Sequence, residues 1–193
     1  MIEIDKNFKF SNGDRIVVGC STGPDSMSLV DMLLKIRKKY NLCLIIAHVN
    51  HNVRKESYAE AEFLKDYCAQ NDLIFESMVI EEYGDDNFHN EARAIRYNFF
   101  ESLVQKYNAD YLMTAHHGDD LMETVLMRIV RGSNLNGYGG FKYCVDMGDY
   151  KIVRPLVHYT KEQLRLYDDL LKPKRKYFSN KNSYYPNLQG YLR

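Results

Sequence analysis

The chain has 193 residues, 45% hydrophobic and 27% charged, with 26 basic side chains against 26 acidic ones and a formal net charge of zero. That length suits one domain with a full core and is too short for two large ones, and the composition is that of an ordinary soluble protein. No apolar stretch approaches the ~20 residues needed to cross a bilayer, and the opening Met1-Ile-Glu-Ile-Asp-Lys lacks the apolar segment of a secretory signal, so the expected location is the cytoplasm, with no membrane partner.

Taken in chain order, Arg15 to Cys20 reads as a buried strand, Ser21 to Asp25 as a loop, and Ser26 to about Tyr40 as a helix. Met27, Val30, Leu33 and Leu34 recur there at helical spacing, and lysines gather at the C-terminal end. Cys43 to Val49 is a second strand, and Ser57 to about Gln70 a helix with Ser57 and Glu60 spaced as a capping box. Leu73 to Val79 is a third strand; the acidic loop Glu81 to Asp86 leads to a helix from about Asn90 to Tyr107. Tyr111 to Ala115 is a fourth strand, Asp119 to Arg131 a helix, Lys151 to Val153 a short strand, and Thr160 to about Leu171 a last helix with Thr160 as its N-cap. The alternation predicts an α/β fold, doubly wound around a mostly parallel sheet covered on both faces.

The remaining bulk signals are local. Cys20, Cys43, Cys68 and Cys144 form no Cys-x-x-Cys pair, which argues against a zinc ribbon or a dithiol motif and leaves all four as structural. His48, His51, His116 and His117 lack the spacing of a helical zinc pair. Residues 172–193 contain no acid but six basic side chains, Lys172, Lys174, Arg175, Lys176, Lys181 and Arg193, interleaved with Tyr177, Phe178, Tyr184, Tyr185 and Tyr191. Cations for phosphates and rings for bases suit single-stranded nucleic acid; a solvated tail packing its tyrosines back onto the domain fits the composition equally. The expected division is therefore a catalytic domain over 1–171 and a basic, aromatic tail over 172–193.

In a doubly wound sheet, ligands bind beyond the C-terminal strand ends. The first such end carries Gly19-Cys-Ser-Thr-Gly-Pro-Asp-Ser26 directly before a helix. Small residues admit a phosphate to the backbone, the helix N-terminus favours the anion, and Ser21, Thr22 and Ser26 add hydroxyls. The loop has neither the Gly-Lys-Ser/Thr of a Walker A loop nor the glycine spacing of a dinucleotide fingerprint. Asp25 beside bound phosphate makes sense as a ligand for Mg²⁺. Further on, Asp120 and Glu123 are spaced to share a helix face, His116 stands just before them, and Arg96 is available to steady phosphoryl charge.

Ser21-Thr-Gly-Pro-Asp-Ser26 resembles the Ser-Gly-Gly-x-Asp-Ser loop of the PP-loop ATP pyrophosphatases, which split ATP between the α- and β-phosphates and transfer AMP to an oxygen. Thr22 stands at the usual first glycine. Three more runs, Ala47-His-Val-Asn-His51, Asn90-Glu-Ala-Arg-Ala-Ile-Arg-Tyr97 and Ala115-His-His-Gly-Asp-Asp-Leu-Met-Glu-Thr124, are similar in order and spacing to the tRNA(Ile)-lysidine synthetase branch, over about Arg15 to Leu171. The resemblance implies a nucleotide loop of Ser21, Thr22, Gly23, Pro24, Asp25 and Ser26, a catalytic set of Asp25, Arg96, His116, Asp120 and Glu123, Mg²⁺ on Asp25 and Asp120, and weaker claims for His117 and Asp119. The implied substrates are ATP, free lysine and the isoleucine tRNA with a CAU anticodon. Its wobble cytidine would be adenylylated at C2 and then ligated to lysine, releasing AMP and pyrophosphate. The family's C-terminal arginines are missing from Pro186-Asn-Leu-Gln-Gly190, and Tyr177-Phe-Ser-Asn180 lacks the acidic residue usual before it. Another PP-loop adenylyl transferase acting on a different RNA or small molecule, and an ATP-binding module without catalysis, remain as alternatives, and a homodimer is left open.

Overall fold

The computed structural model describes residues 4–6, 8–52, 56–81, 88–132 and 139–179. Six strands, β1 (Arg15–Gly19), β2 (Cys43–Asn50), β3 (Ile74–Val79), β4 (Tyr111–Met113), β5 (Cys144–Asp146) and β6 (Lys151–Val153), form one sheet in the order β3-β2-β1-β4-β6-β5. All pairings are parallel except that of β5 with β6. Among the described residues five α-helices accompany it: α1 (Pro24–Tyr40), α2 (Glu56–Gln70), α3 (Phe88–Tyr107), α4 (Gly118–Val130) and α5 (Lys161–Ser179). This is the doubly wound α/β fold expected from the alternation.

The pleat divides the core. Ile16 and Val18 of β1 with Leu44 and Ile46 of β2 face α1, α2 and α5, where Met27, Leu33, Leu64 and Leu164 close over them. Val17, Ile45, Ala47 and Leu112 face the other way, onto Phe100, Leu103 and Val104 of α3. The middles of the central strands, Ile16 to Val18 and Leu44 to Ala47, are therefore apolar at every position, as a segment buried on both faces must be. Cys20 and Cys68 lie inside this core as small hydrophobes, and none of the four cysteines is in a disulfide. Among the described residues no helix is long and apolar enough to cross a membrane.

Several boundaries differ from expectation. Pro24 occupies the first turn of α1, its ring preset for that position, so the helix starts before Ser26 and takes in Asp25. α2 spans Glu56 to Gln70, which puts Ser57 inside the first turn and not at a cap. β4 stops at Met113, short of Ala115, and α5 runs on to Ser179, past the expected end near Leu171. Thr160 caps α5 as expected, its Oγ1 accepting the Gln163 N–H at 3.2 Å, and Gln163 Oε1 accepts the Thr160 N–H at 2.9 Å, which completes a capping box that the sequence reading did not include. β5 was not anticipated, because Cys-Val-Asp is too short to show periodicity. Most of the acidic loop Glu81 to Asp86, the tail beyond Ser179 and the side chains of 172–179 lie outside the described residues.

Candidate active site

The strand order reverses between β1 and β4, so the chain leaves these neighbours toward opposite faces of the sheet and a crevice opens at their C-terminal ends. A cavity of about 210 Å³ occupies that crevice. Gly19 and Ala47 pair side by side at the ends of β1 and β2 and form part of its floor. A Cβ built on Gly19 would sit 2.9 Å from the Phe100 ring, so only glycine lets α3 approach this closely. Val49 and Phe100 extend the apolar lining, while Asp25, His51, Arg96, Thr114, His116 and Asp120 supply its polar groups.

The loop after β1 is folded around Ser26. That hydroxyl donates to Gly23 O at 3.0 Å and accepts from Ser21 N–H at 3.2 Å, so Ser26 braces the loop while lining the cavity beside Ser21 and Gly23. Thr22 and Pro24 do not line it. Thr22 has a φ of 65°, a left-handed conformation that a β-branched residue rarely adopts; its hydroxyl is held to Ser21 O at 2.5 Å. The glycine of the related loops fits this φ without strain.

Asp25, in the first turn of α1, lies 3.7 Å from His117 Nε2. Burial pushes its carboxyl pKa up, opposed by His117 and Lys161. Asp120, in the first turn of α4, accepts from His117 N–H at 2.9 Å, and its own N–H donates to His117 Nδ1 at 3.3 Å. One imidazole thus stands between carboxylates borne by two helices. His116 bonds Thr114 Oγ1 through Nδ1 at 2.8 Å; burial, reinforced by Arg154, lowers its pKa to about 4 and keeps the ring neutral. His51 is likewise held low, by burial and by Arg96. Arg93 and Arg96 flank the Tyr97 ring at 5.1 and 6.0 Å.

Of the residues expected to act, Asp25, Arg96, His116 and Asp120 converge on the cavity, whereas Glu123 is exposed on α4 and outside its lining. The helix turns enough between Asp120 and Glu123 to aim them differently. Sequence reasoning passed over His51, Tyr97, Phe100 and Thr114; the nearest signal was their presence inside or beside the runs already singled out. Among the described residues, no group of three or more His, Cys, Asp or Glu is placed to hold a metal. Two carboxylates do fit Mg²⁺, which takes one or two from protein and the rest of its ligands from phosphate and water.

A model of the PP-loop domain matches residues 1–185. The chain belongs to the PP-loop family. Its PP-loop relatives include the tRNA(Ile)-lysidine synthase of Enterococcus faecalis, 39% identical over 150 residues, covering 77% of this chain and 32% of that one. That of Bacillus cereus is 40% identical over 160 residues, covering 79% and 33%. The chain therefore spans about a third of the length of the curated relatives it matches. The fold of this chain is similar to that of the U34-tRNA thiolase NcsA from Methanococcus maripaludis, with a TM-score of 0.75 at 17% identity over 92% of this chain and 69% of that one.

Proposed function

We propose that this chain is the catalytic PP-loop domain of an ATP-dependent tRNA(Ile)-lysidine synthase working in the cytoplasm. The observation that carries the reading is the convergence of Asp25, Arg96, His116 and Asp120 on one cavity, beneath a phosphate-type loop, in a chain about 40% identical to proteins of that name. ATP enters with its base against the apolar lining of Ala47, Val49 and Phe100 and its phosphates toward Ser21, Gly23 and the N-terminus of α1. Asp25 and Asp120 would hold Mg²⁺, which would supply positive charge to balance the departing pyrophosphate. Arg96 faces the α-phosphate and stabilises the charge that builds there during transfer to the C2 oxygen of the wobble cytidine.

Lysine then attacks C2, and AMP leaves with the oxygen. His116, kept neutral by burial, is free to accept a proton from the incoming amine. Glu123, exposed on α4, is assigned to the approaching amine and not to the nucleotide. The basic, aromatic residues from Lys172 onward are assigned to the tRNA.

The test is AMP formation from labelled ATP, with and without lysine and a CAU-anticodon isoleucine transcript. The expected result is AMP release that requires both, with lysine label entering the RNA. Release that ignores lysine, or follows a different RNA, would overturn the reading in favour of another adenylyl transfer.

A further inference from the structure

His117 occupies an unusual position. It is 4% exposed, follows β4, and is the N-cap of α4 in a reciprocal capping box with Asp120. Helix N-caps are normally Ser, Thr, Asp or Asn, whose short side chains satisfy the first turn and reach nothing else. Here the cap uses only Nδ1, which accepts the Asp120 N–H at 3.3 Å. The rest of the ring extends to α1 and sets Nε2 3.7 Å from Asp25 Oδ2.

The cap also decides the chemistry of the far edge. A ring nitrogen that accepts a backbone N–H carries no proton, so the proton of the neutral imidazole resides on Nε2. The backbone is pinned as well. Gly118 N–H donates to Tyr159 O at 2.9 Å, and a Cβ on Gly118 would meet Val157 O at 3.1 Å and Tyr159 O at 3.2 Å. The ring therefore presents its N–H to Asp25 from a fixed point on the opposite helix.

We infer that His117 is a positioning residue, locked as the Nε2–H tautomer by the cap of α4, which sets Asp25 and Asp120 at a fixed separation across the crevice. It acts through the carboxylates and touches neither substrate. The inference rests on the reading of this crevice as the nucleotide site and adds to it the residue that registers α1 against α4.

Two substitutions separate the two ends of the ring. His117→Asn keeps a good cap and removes the group facing Asp25; His117→Gln weakens the cap and restores an N–H near the position of Nε2. In the full chain, the asparagine variant is expected to melt near wild type. Its kcat for tRNA-dependent AMP release should fall at least tenfold, with KM for tRNA unchanged. The glutamine variant should melt lower yet turn over faster than the asparagine variant. Activity and stability then rank in opposite orders, which a purely structural histidine would not produce. Equal ranking, or wild-type kcat in the asparagine variant, overturns the inference.

Two readouts need no turnover. Imidazole ¹⁵N shifts of the free chain at neutral pH should report the Nε2–H tautomer, and ATP with Mg²⁺ should bind the asparagine variant at least fivefold more weakly by titration calorimetry. An Nδ1–H tautomer, or unchanged affinity, overturns it. A wild-type chain that makes no AMP, yet shows this tautomer and this affinity loss, would sink the lysidine reaction while leaving the positioning role standing.

Discussion

Thr22 has a φ of 65°, where an L-residue forfeits roughly 1–2 kcal/mol through its Cβ. Glycine avoids that strain but loses about 0.5–1 kcal/mol through the greater freedom of the unfolded chain. Thr22→Gly is accordingly expected to raise stability by up to about 1 kcal/mol in urea unfolding, with nucleotide affinity retained, since Thr22 does not line the cavity. His116 gives a pH dependence of known sign. Its folded pKa of about 4 lies below the ordinary 6.5, so as pH falls the unfolded chain takes up the proton first. The stability contributed by the neutral ring is complete above pH 6.5 and lost progressively down to about 4, a total on the order of 3 kcal/mol. Asp25 works against this, because its raised pKa means that the folded chain takes up that proton first. The difference in unfolding free energy between wild type and His116→Asn, followed from pH 7 to 4, isolates the histidine and should shrink across that range.

At the scale of elements, the starts of α4 and α5 are tied together. Lys161 N–H donates to Asp119 Oδ2 at 2.6 Å, so Asp119 satisfies an orphan donor at the head of α5, while its neighbour Asp120 faces the cavity. Two adjacent aspartates of one motif thus have separate tasks, one structural and one at the site. Asp119→Ala is expected to lower stability by about 1 kcal/mol, as lost caps do, and to leave turnover per folded molecule unchanged; calorimetry beside the AMP assay checks both. Helix ends were the least legible feature. Pro24 and Ser57 are ambiguous between loop and first turn until the packing of α1 and α2 is known. His117 gave no cap signal, because histidine is not a residue one reads as a cap.

At the scale of the molecule, the long apolar runs of β1 and β2 and the loop from Gly19 to Ser26 were legible because each is a local pattern. An apolar run between turn residues can only be buried, and small residues between a strand and a helix leave backbone free for an anion. The sequence by itself therefore determined the α/β class, the phosphate loop and most of the residues that meet there. Tertiary structure alone decided the order β3-β2-β1-β4-β6-β5 and with it the crevice between β1 and β4. It also decided that Glu123 stays at the surface and that the His117 ring stands between Asp25 and Asp120. Those outcomes depend on side chains far apart in the chain coming to rest against one another, and hydrophobic periodicity records which face is buried without recording what it is buried against.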